Sequence, residues 1–371
     1  MDVINAAAAS DFADRVVRWQ RLSGRHDLPW QGGRDPYPIW LSEIMLQQTQ
    51  VRTVLPYFQR FMARFSTVKA LAAAPLEEVL ALWAGLGYYA RARNLHACAR
   101  QVVERHGGIF PRTAAKLAEL PGLGRSTAAA IAAFAYGERA AILDGNVKRV
   151  LCRHFAIEGV PVGRVEKALW SLAESLLPAG PDSGGDRGGD GMEADDVRAD
   201  DMVADDIRAY TQGLMDLGAS LCQRGKPRCA SCPLAATCLA HQQGREACLP
   251  TPKPAQTRRQ REAVWLLLTD GRQVLLERRP PVGIWGGLLA LPEGLDRLPR
   301  WGLSALELEP LPPREHAFTH FRLKIRPFLC RVAALPLLAG EPGMCCLPLA
   351  EARAAGVPAP VAVLLGELEG G

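Results

Sequence analysis

The chain has 371 residues, 48% of them hydrophobic and 22% charged, with a formal net charge of +5. That length holds two or three domains with sizeable cores, and the composition excludes a disordered or fibrous chain. No apolar run approaches membrane-spanning length, and the alanines at 6–9 follow no basic segment, so neither bilayer insertion nor secretion is expected and a cytoplasmic protein is.

From Phe12 to about Gly180 the apolar spacing is helical, as in Phe12, Val16 and Trp19 or Leu76, Val79, Leu80 and Trp83. Pro29, Pro36, Pro75, Gly107-Gly108 and Pro121-Gly122 punctuate it, so an all-α bundle of short helices is expected. The first chemical signal is Glu43, alone among large apolar neighbours in Trp40–Gln50. A lone helical glutamate usually faces solvent; this setting points instead to an acid lining a cleft with a raised pKa. In Gly85–Arg93, Leu86 and Tyr88 are tools for wedging into a base stack while Arg91 and Arg93 hold phosphates. The same segment also reads as a buried aromatic turn with paired arginines. In Leu120–Thr127, Gly122 and Gly124 flank one apolar residue ahead of Ser126, forming a hairpin whose free N–H groups face a phosphate. Twenty residues after Gly124 stands Asp144, before Gly145-Asn146 and the cations Lys148 and Arg149. An acid beside a phosphate-gripping surface is costly unless chemistry needs it.

Between Asp182 and Arg208 lie ten acids and three arginines, so that segment carries −7 and the rest of the chain +12. The asymmetry points to a nucleic-acid partner. The Gly/Asp-rich stretch, about 179–207, is expected as a disordered or weakly ordered insertion, a solvated loop rather than a self-inhibiting mimic of DNA. Cys222, Cys229, Cys232 and Cys238 follow with six, two and five residues between them. A closed four-thiolate set suits zinc or a [4Fe–4S] cluster, and spacing does not choose between them. Arg224, Lys226 and Arg228 sit between the first two cysteines, where a metal would hold them toward DNA. Residues 241–258 lack periodicity and read as a linker; Ala263–Leu268 and Gln273–Glu277 around Asp270-Gly271 read as a β-hairpin opening an α+β domain.

Residues 120–127 with 142–149 resemble the helix-hairpin-helix DNA glycosylases, and the segment around Glu43 narrows the resemblance to the MutY family of adenine glycosylases. It covers nearly the whole chain except roughly residues 179–207. The fold it implies is multi-domain: an all-α helix-hairpin-helix glycosylase region over 1–240, a linker at 241–258 and an α+β Nudix-like domain over 259–371. Within the first, a six-helix barrel covers about 29–138 and an iron–sulfur subdomain 1–28 with 139–240. The resemblance assigns Glu43 as the acid that protonates adenine N7, Asp144 as the stabiliser of the oxocarbenium-like sugar and Asn146 as an orienting partner. It places Trp30 and Gln212 in the adenine pocket, and Gln48, Leu86, Tyr88, Gly122, Gly124, Ser126 and Lys148 against DNA. His26 stands where relatives carry arginine. It implies one structural [4Fe–4S] cluster on Cys222, Cys229, Cys232 and Cys238. Ser126 replaces the nucleophilic lysine of strand-cutting relatives, implying a monofunctional enzyme. Phe318-Thr319-His320 resembles a loop that recognises 8-oxoguanine. Gly287 and Glu293 have the spacing that opens a Nudix box, but Trp301-Gly302 interrupt it, so this domain is expected to bind rather than hydrolyse. The expected activity is excision of adenine opposite 8-oxoguanine or guanine in duplex DNA, by a monomer. An endonuclease III-like pyrimidine glycosylase, a Nudix hydrolase and a non-catalytic cluster-bearing module are the weaker alternatives.

Overall fold

The computed structural model describes residues 6–179, 194–254, 259–318, 320–335 and 343–369. They form two compact units, one built from 1–48 and 101–254, the other from 49–100 and 255–371.

The first unit is helical. Its long helices are Ala6–Ser23, Pro36–Leu46, Arg125–Tyr136, Gly145–His154, Arg164–Ser175 and Ala194–Asp216. Phe12, Val16, Ile142, Val147, Leu151, Leu169 and Leu214 interlock at its centre. Local chemistry sets the helix carrying Glu43: Asp35 caps it by accepting the Tyr37 N–H, and Pro36 supplies a ready helical φ at a position needing no amide donor. Trp40, Leu41 and Met45 are fully buried, which anchors the helix on its apolar residues. At the hairpin, Leu123 is buried while Gly122 and Gly124 are exposed, with Gly122 at φ +80°. The one apolar residue thus pins a loop whose backbone stays open.

Two expectations change here. The acidic insertion is a helix from Ala194 onward, continuous to Asp216, and only 180–193 lie outside the described residues. Ala194, Ala199, Ala204 and Ala209 are strong helix formers within it, and Asp201, Asp205 and Asp206 find partners distant in sequence in Arg34 and Arg21. The segment 241–258 is not a plain linker either. His241 and Gln242 are helical, Leu249 is buried, and its carbonyl accepts from Arg153 Nε at 2.8 Å. The buried Arg153 and the Gly159 N–H, which donates to Thr251 Oγ1 at 3.0 Å, tie this stretch down as far as Thr251.

The second unit packs the helices Val51–Arg64, Val68–Ala73, Leu76–Trp83 and the start of Ala90–His106 with a seven-stranded mixed sheet. The strands are β1 Arg259–Thr269, β2 Gln273–Arg278, β3 Leu289–Ala290, β4 Glu309–Pro310, β5 Arg314–Ala317, β6 Phe321–Arg331 and β7 Met344–Pro348. β1 and β2 form the expected antiparallel hairpin, with Thr269 opposite Val274. β1 also runs parallel to β6, from Arg259 opposite Phe321 to Thr269 opposite Arg331. A strand paired on both edges and covered on both faces needs a continuous apolar run, which Ala263–Leu268 supplies. The helical part meets the sheet part inside this unit: Arg93 donates to the Gly286 carbonyl at 2.7 Å, and Gly356 lies so close to Ala81 that an added Cβ would sit 3.3 Å from its Cα.

Candidate active site and cysteine cage

A cavity of about 350 Å³ opens in the helical unit, lined by Glu43, Trp30, Gln212, Arg25, His26 and Arg208 among others. Three expected site residues, from three separate segments, thus meet at one cavity of the size that holds a small flat ligand. Glu43 is pushed up to about 8, first by burial and then by the negative charge of Asp144. It therefore carries a proton at neutral pH. Burial raises Asp144 as well, but the Val147 and Asn146 backbone N–H groups, Arg149 and the Asn146 side chain all pull it back down. Asp144 is the N-cap of Gly145–His154 and its Oδ1 accepts the Val147 N–H at 2.8 Å. Helix-end donors favour the anion at that position. Two carboxylates in one field, one held protonated and one supplied with donors, can serve as an acid and a charge stabiliser.

Ser126 has a further role. Its Oγ accepts the Leu143 N–H at 2.9 Å, so the hydroxyl fastens the hairpin to the residue before Asp144. Asn146 lies 3.4 Å from Asp144 Oδ2 through its Nδ2, and its Oδ1 accepts from Arg149 at 2.9 Å. Arg149 also donates to the Gly218 carbonyl and, through Nε, to the Cys222 carbonyl, both at 2.6 Å. Hence it does not grip a strand, as the sequence led us to expect; it links the turn bearing Asp144 to the cysteine loop. Gly218 permits the approach, because a Cβ there would sit 2.4 Å from the Asn146 Cβ. Lys148 is likewise occupied, 2.5 Å from Glu166.

The four cysteines line one small cavity together with Arg153, His241 and Glu246. Arg153 is 2% exposed and sends Nη1 to Cys222 Sγ at 3.4 Å and to the Gln223 carbonyl at 2.7 Å. A buried cation aimed at sulfur fits a site that carries negative charge. Burial pushes Cys232 up to about 11 and raises Cys229 and Cys238, and neighbouring thiolates raise all three further. Such thiols stay protonated unless a metal takes the protons' place, and four converging sulfurs suit one that does. His241 Nδ1 and Glu246 Oε1, 2.6 Å apart, flank Cys229.

Among the expected DNA contacts, Gln48 and Tyr88 are exposed and hold left-handed backbones at φ +58° and +51°. Non-glycine residues in that region cost about 1 kcal/mol or more each. Leu86 departs from the expectation: it is 6% exposed, turned into the core between Gly85 and Gly87, both at positive φ. Arg91 departs too. It is buried and donates to Thr49 Oγ1 at 3.0 Å and the Gly87 carbonyl at 3.3 Å, bracing the turn under Tyr88, while Arg93 is spent on Gly286. In the sheet domain Phe318 stacks on Phe321 at 4.5 Å and stands 5.2 Å from Trp285, with His316 between them in the cluster. His320 is exposed and Thr319 lies outside the described residues. Where a Nudix helix would start, Leu295–Trp301 is a 3₁₀ turn interrupted by Pro299, and Glu293 is paired with Arg279 at 2.8 Å.

Residues 41–175 match the family described as HhH-GPD superfamily base excision DNA repair protein, and residues 263–367 match the NUDIX domain. An adenine DNA glycosylase of Buchnera aphidicola subsp. Baizongia pistaciae is 31% identical over 96% of this chain and 97% of its own length. The chain belongs to the adenine DNA glycosylase family. It is a DNA glycosylase. The human adenine DNA glycosylase is 34% identical over 86% of this chain and 66% of its own. Among solved structures, a thermostable thymine-DNA glycosylase superposes with a TM-score of 0.52 at 29% identity, covering 64% of this glycosylase and all of the other chain. An endonuclease III bound to DNA shares the fold, with a TM-score of 0.50 at 20% identity over 65% of this chain and 99% of its own.

Sequence reasoning gave Arg149 the wrong partner and missed Arg153 and Asp216. The two arginines act on backbone carbonyls, which leave no signature in a sequence. Asp216 carried a readable signal, since it stands between Met215 and Leu217 much as Glu43 stands among apolar neighbours.

Proposed function

We propose that this glycosylase removes adenine mispaired with 8-oxoguanine or guanine in duplex DNA by hydrolysing the N-glycosidic bond. One observation carries the reading: an acid held protonated near neutral pH, Glu43, lines a base-sized cavity with Trp30 and Gln212, in the field of Asp144. The target base leaves the stack, at a cost of a few kcal/mol, and enters the cavity. Glu43 gives its proton to N7, which makes the base a leaving group; Asp144 stabilises the cationic sugar; water, deprotonated by Glu43, completes the hydrolysis. Ser126 offers no amine, so no Schiff base forms there and the strand stays intact. Gly122, Gly124 and Lys148 bind the backbone, Lys148 by giving up Glu166. Gln48 and Tyr88 fill the gap left by the extruded base, and Phe318, Thr319 and His320 face the oxidised partner base.

Cys222, Cys229, Cys232 and Cys238 hold one [4Fe–4S] cluster, which when bound fixes the loop bearing Arg224, Lys226 and Arg228. The protein acts as a monomer in the cytoplasm, on DNA. The deciding experiment incubates the holoprotein with duplexes carrying A:8-oxoG, A:G, A:C and thymine glycol. Adenine should be released from the first two, with strand breaks only after alkali. Release of thymine glycol with direct cleavage would make the protein a pyrimidine glycosylase instead. Iron and sulfide should be found at about four each per chain; zinc alone after anaerobic purification would remove the cluster from the account.

A further inference from the structure

Asp216 is 1% exposed at the end of the helix Ala194–Asp216, one turn beyond Gln212. Its carboxylate is fully engaged. Oδ2 accepts from the Arg25 backbone N–H at 2.9 Å, and Oδ1 accepts from Arg25 Nε at 2.7 Å, Arg25 Nη2 at 2.6 Å and Gln212 Nε2 at 2.8 Å. A carboxylate only accepts, so the amide of Gln212 meets it with its NH₂ end and cannot turn over. The other end of that amide, the carbonyl Oε1, takes no hydrogen bond from any described residue, and Gln212 lines the cavity with Glu43.

The geometry points to Asp216 as a positioning residue that selects the base: by pinning Gln212 Nε2 it presents Oε1 as a fixed acceptor, specific for a purine carrying an exocyclic amine at C6. This rests on the reading of the cavity as the base pocket. Adenine offers a donor at C6. Hypoxanthine offers an acceptor there, which would face Oε1 lone pair to lone pair, and unsubstituted purine offers nothing. All three keep the N7 that Glu43 protonates, so they differ only at the edge Gln212 reads. A free glutamine would turn its amide to suit either partner and discriminate little. A buried acceptor left facing an acceptor is the kind of mismatch that polar sites reject most strongly.

Single-turnover excision of adenine, purine and hypoxanthine opposite guanine tests the assignment. Asp216→Asn supplies both a donor and an acceptor, frees the amide to turn, and should narrow the adenine-to-hypoxanthine rate ratio by at least about tenfold relative to wild type. Both substrates are measured on one preparation, so loss of folded protein cancels in the ratio. Gln212→Met, which removes donor and acceptor together, should narrow the ratio comparably, and the double variant should add nothing further. A wild-type ratio in folded Asp216→Asn overturns the inference, as does strict additivity. Should Asp216→Asn fail to fold, the wild-type protein decides. The ¹⁵N-labelled side-chain amide of Gln212, assigned by its loss in Gln212→Met, should show one proton shielded from solvent exchange; two protons exchanging as in free glutamine would refute the bond. A wild type that releases no adenine refutes the base-pocket reading instead, while the amide exchange still reports on Asp216.

Discussion

On the proposed chemistry, Glu43 and Asp144 should set opposite limbs of one pH profile. Glu43 must be protonated to donate and loses that proton near 8, so single-turnover rate should fall about tenfold per pH unit above that value. Asp144 must be ionised to stabilise the sugar, and its raised pKa moves the acid limb above the ordinary aspartate range. Glu43→Gln should remove the alkaline limb and lower the rate by at least about a hundredfold while duplex binding survives. The same substitution should stabilise the fold. Unfolded, the carboxyl releases its proton in the ordinary glutamate range; folded, it holds it to about 8. The folded state binds more protons across that window, so stability is lost as pH rises through it. Glu43→Gln lacks that loss and should unfold at a higher temperature, by roughly 2–4 °C for each kcal/mol, with a larger margin at pH 9 than at pH 6. An unfolding temperature equal to wild type at both pH values would show that the site holds no unfavourable charge. Glu43 was legible because it is the one acid in an apolar helical run, although most residues lining its cavity, Trp30 and Gln212 among them, come from other segments. Arg149 and Arg153 were not, because each is fixed by carbonyls of a loop about 70 residues away.

The acidic helix shows why composition misleads at the scale of an element. Glycines and aspartates read as a loop, yet from Ala194 the alanines favour helix, and Asp201, Asp205 and Asp206 pair with arginines. Asp206 pairs with Arg21 at 2.7 Å, Asp205 with Arg208 at 2.8 Å and Arg34 at 3.4 Å, and Asp201 with Arg34 at 3.9 Å. Arg21 and Arg208 line the cavity. These exposed pairs contribute about 0–1 kcal/mol each, so they are readily exchanged. An arginine pairs with an aspartate or with a phosphate, not fully with both. Neutralising the three acids as Asp201→Asn, Asp205→Asn and Asp206→Asn should therefore tighten duplex binding by roughly threefold to thirtyfold at low salt, steepen the salt dependence and leave helix content unchanged. Equal affinity across a salt series would mean that these arginines do not meet DNA.

At the scale of the whole molecule, the hairpin of β1 and β2 was legible because a short turn containing Asp270-Gly271 separates its two apolar runs. The grouping of residues 49–100 with the C-terminal sheet was not, because it rests on contacts such as Arg93 to Gly286, where one partner is a bare carbonyl. That grouping decides how the C-terminal domain can be tested. Cutting the chain after residue 258 would strip Arg93 of Gly286 and Glu77 of Arg278, and uncover Leu80 and Ala81, beside which Gly287 and Gly356 pack. Truncated protein should therefore unfold at lower temperature with reduced cooperativity in the segment 49–100, read by hydrogen exchange. Loss of activity in it would confound recognition with stability. Point substitution avoids this. His320 is exposed and outside the stacked cluster of Trp285, His316, Phe318 and Phe321, so His320→Ala should leave the unfolding temperature unchanged. If this loop reads the oxidised base, the advantage of A:8-oxoG over A:G should narrow by about ten- to a hundredfold, the value of one good base contact, with A:G excision itself unaltered. Thr319→Val tests the neighbouring hydroxyl in the same assay. Full preference in both variants would leave Gln48 and Tyr88, each exposed with a left-handed backbone, as the candidates for recognition of the partner base.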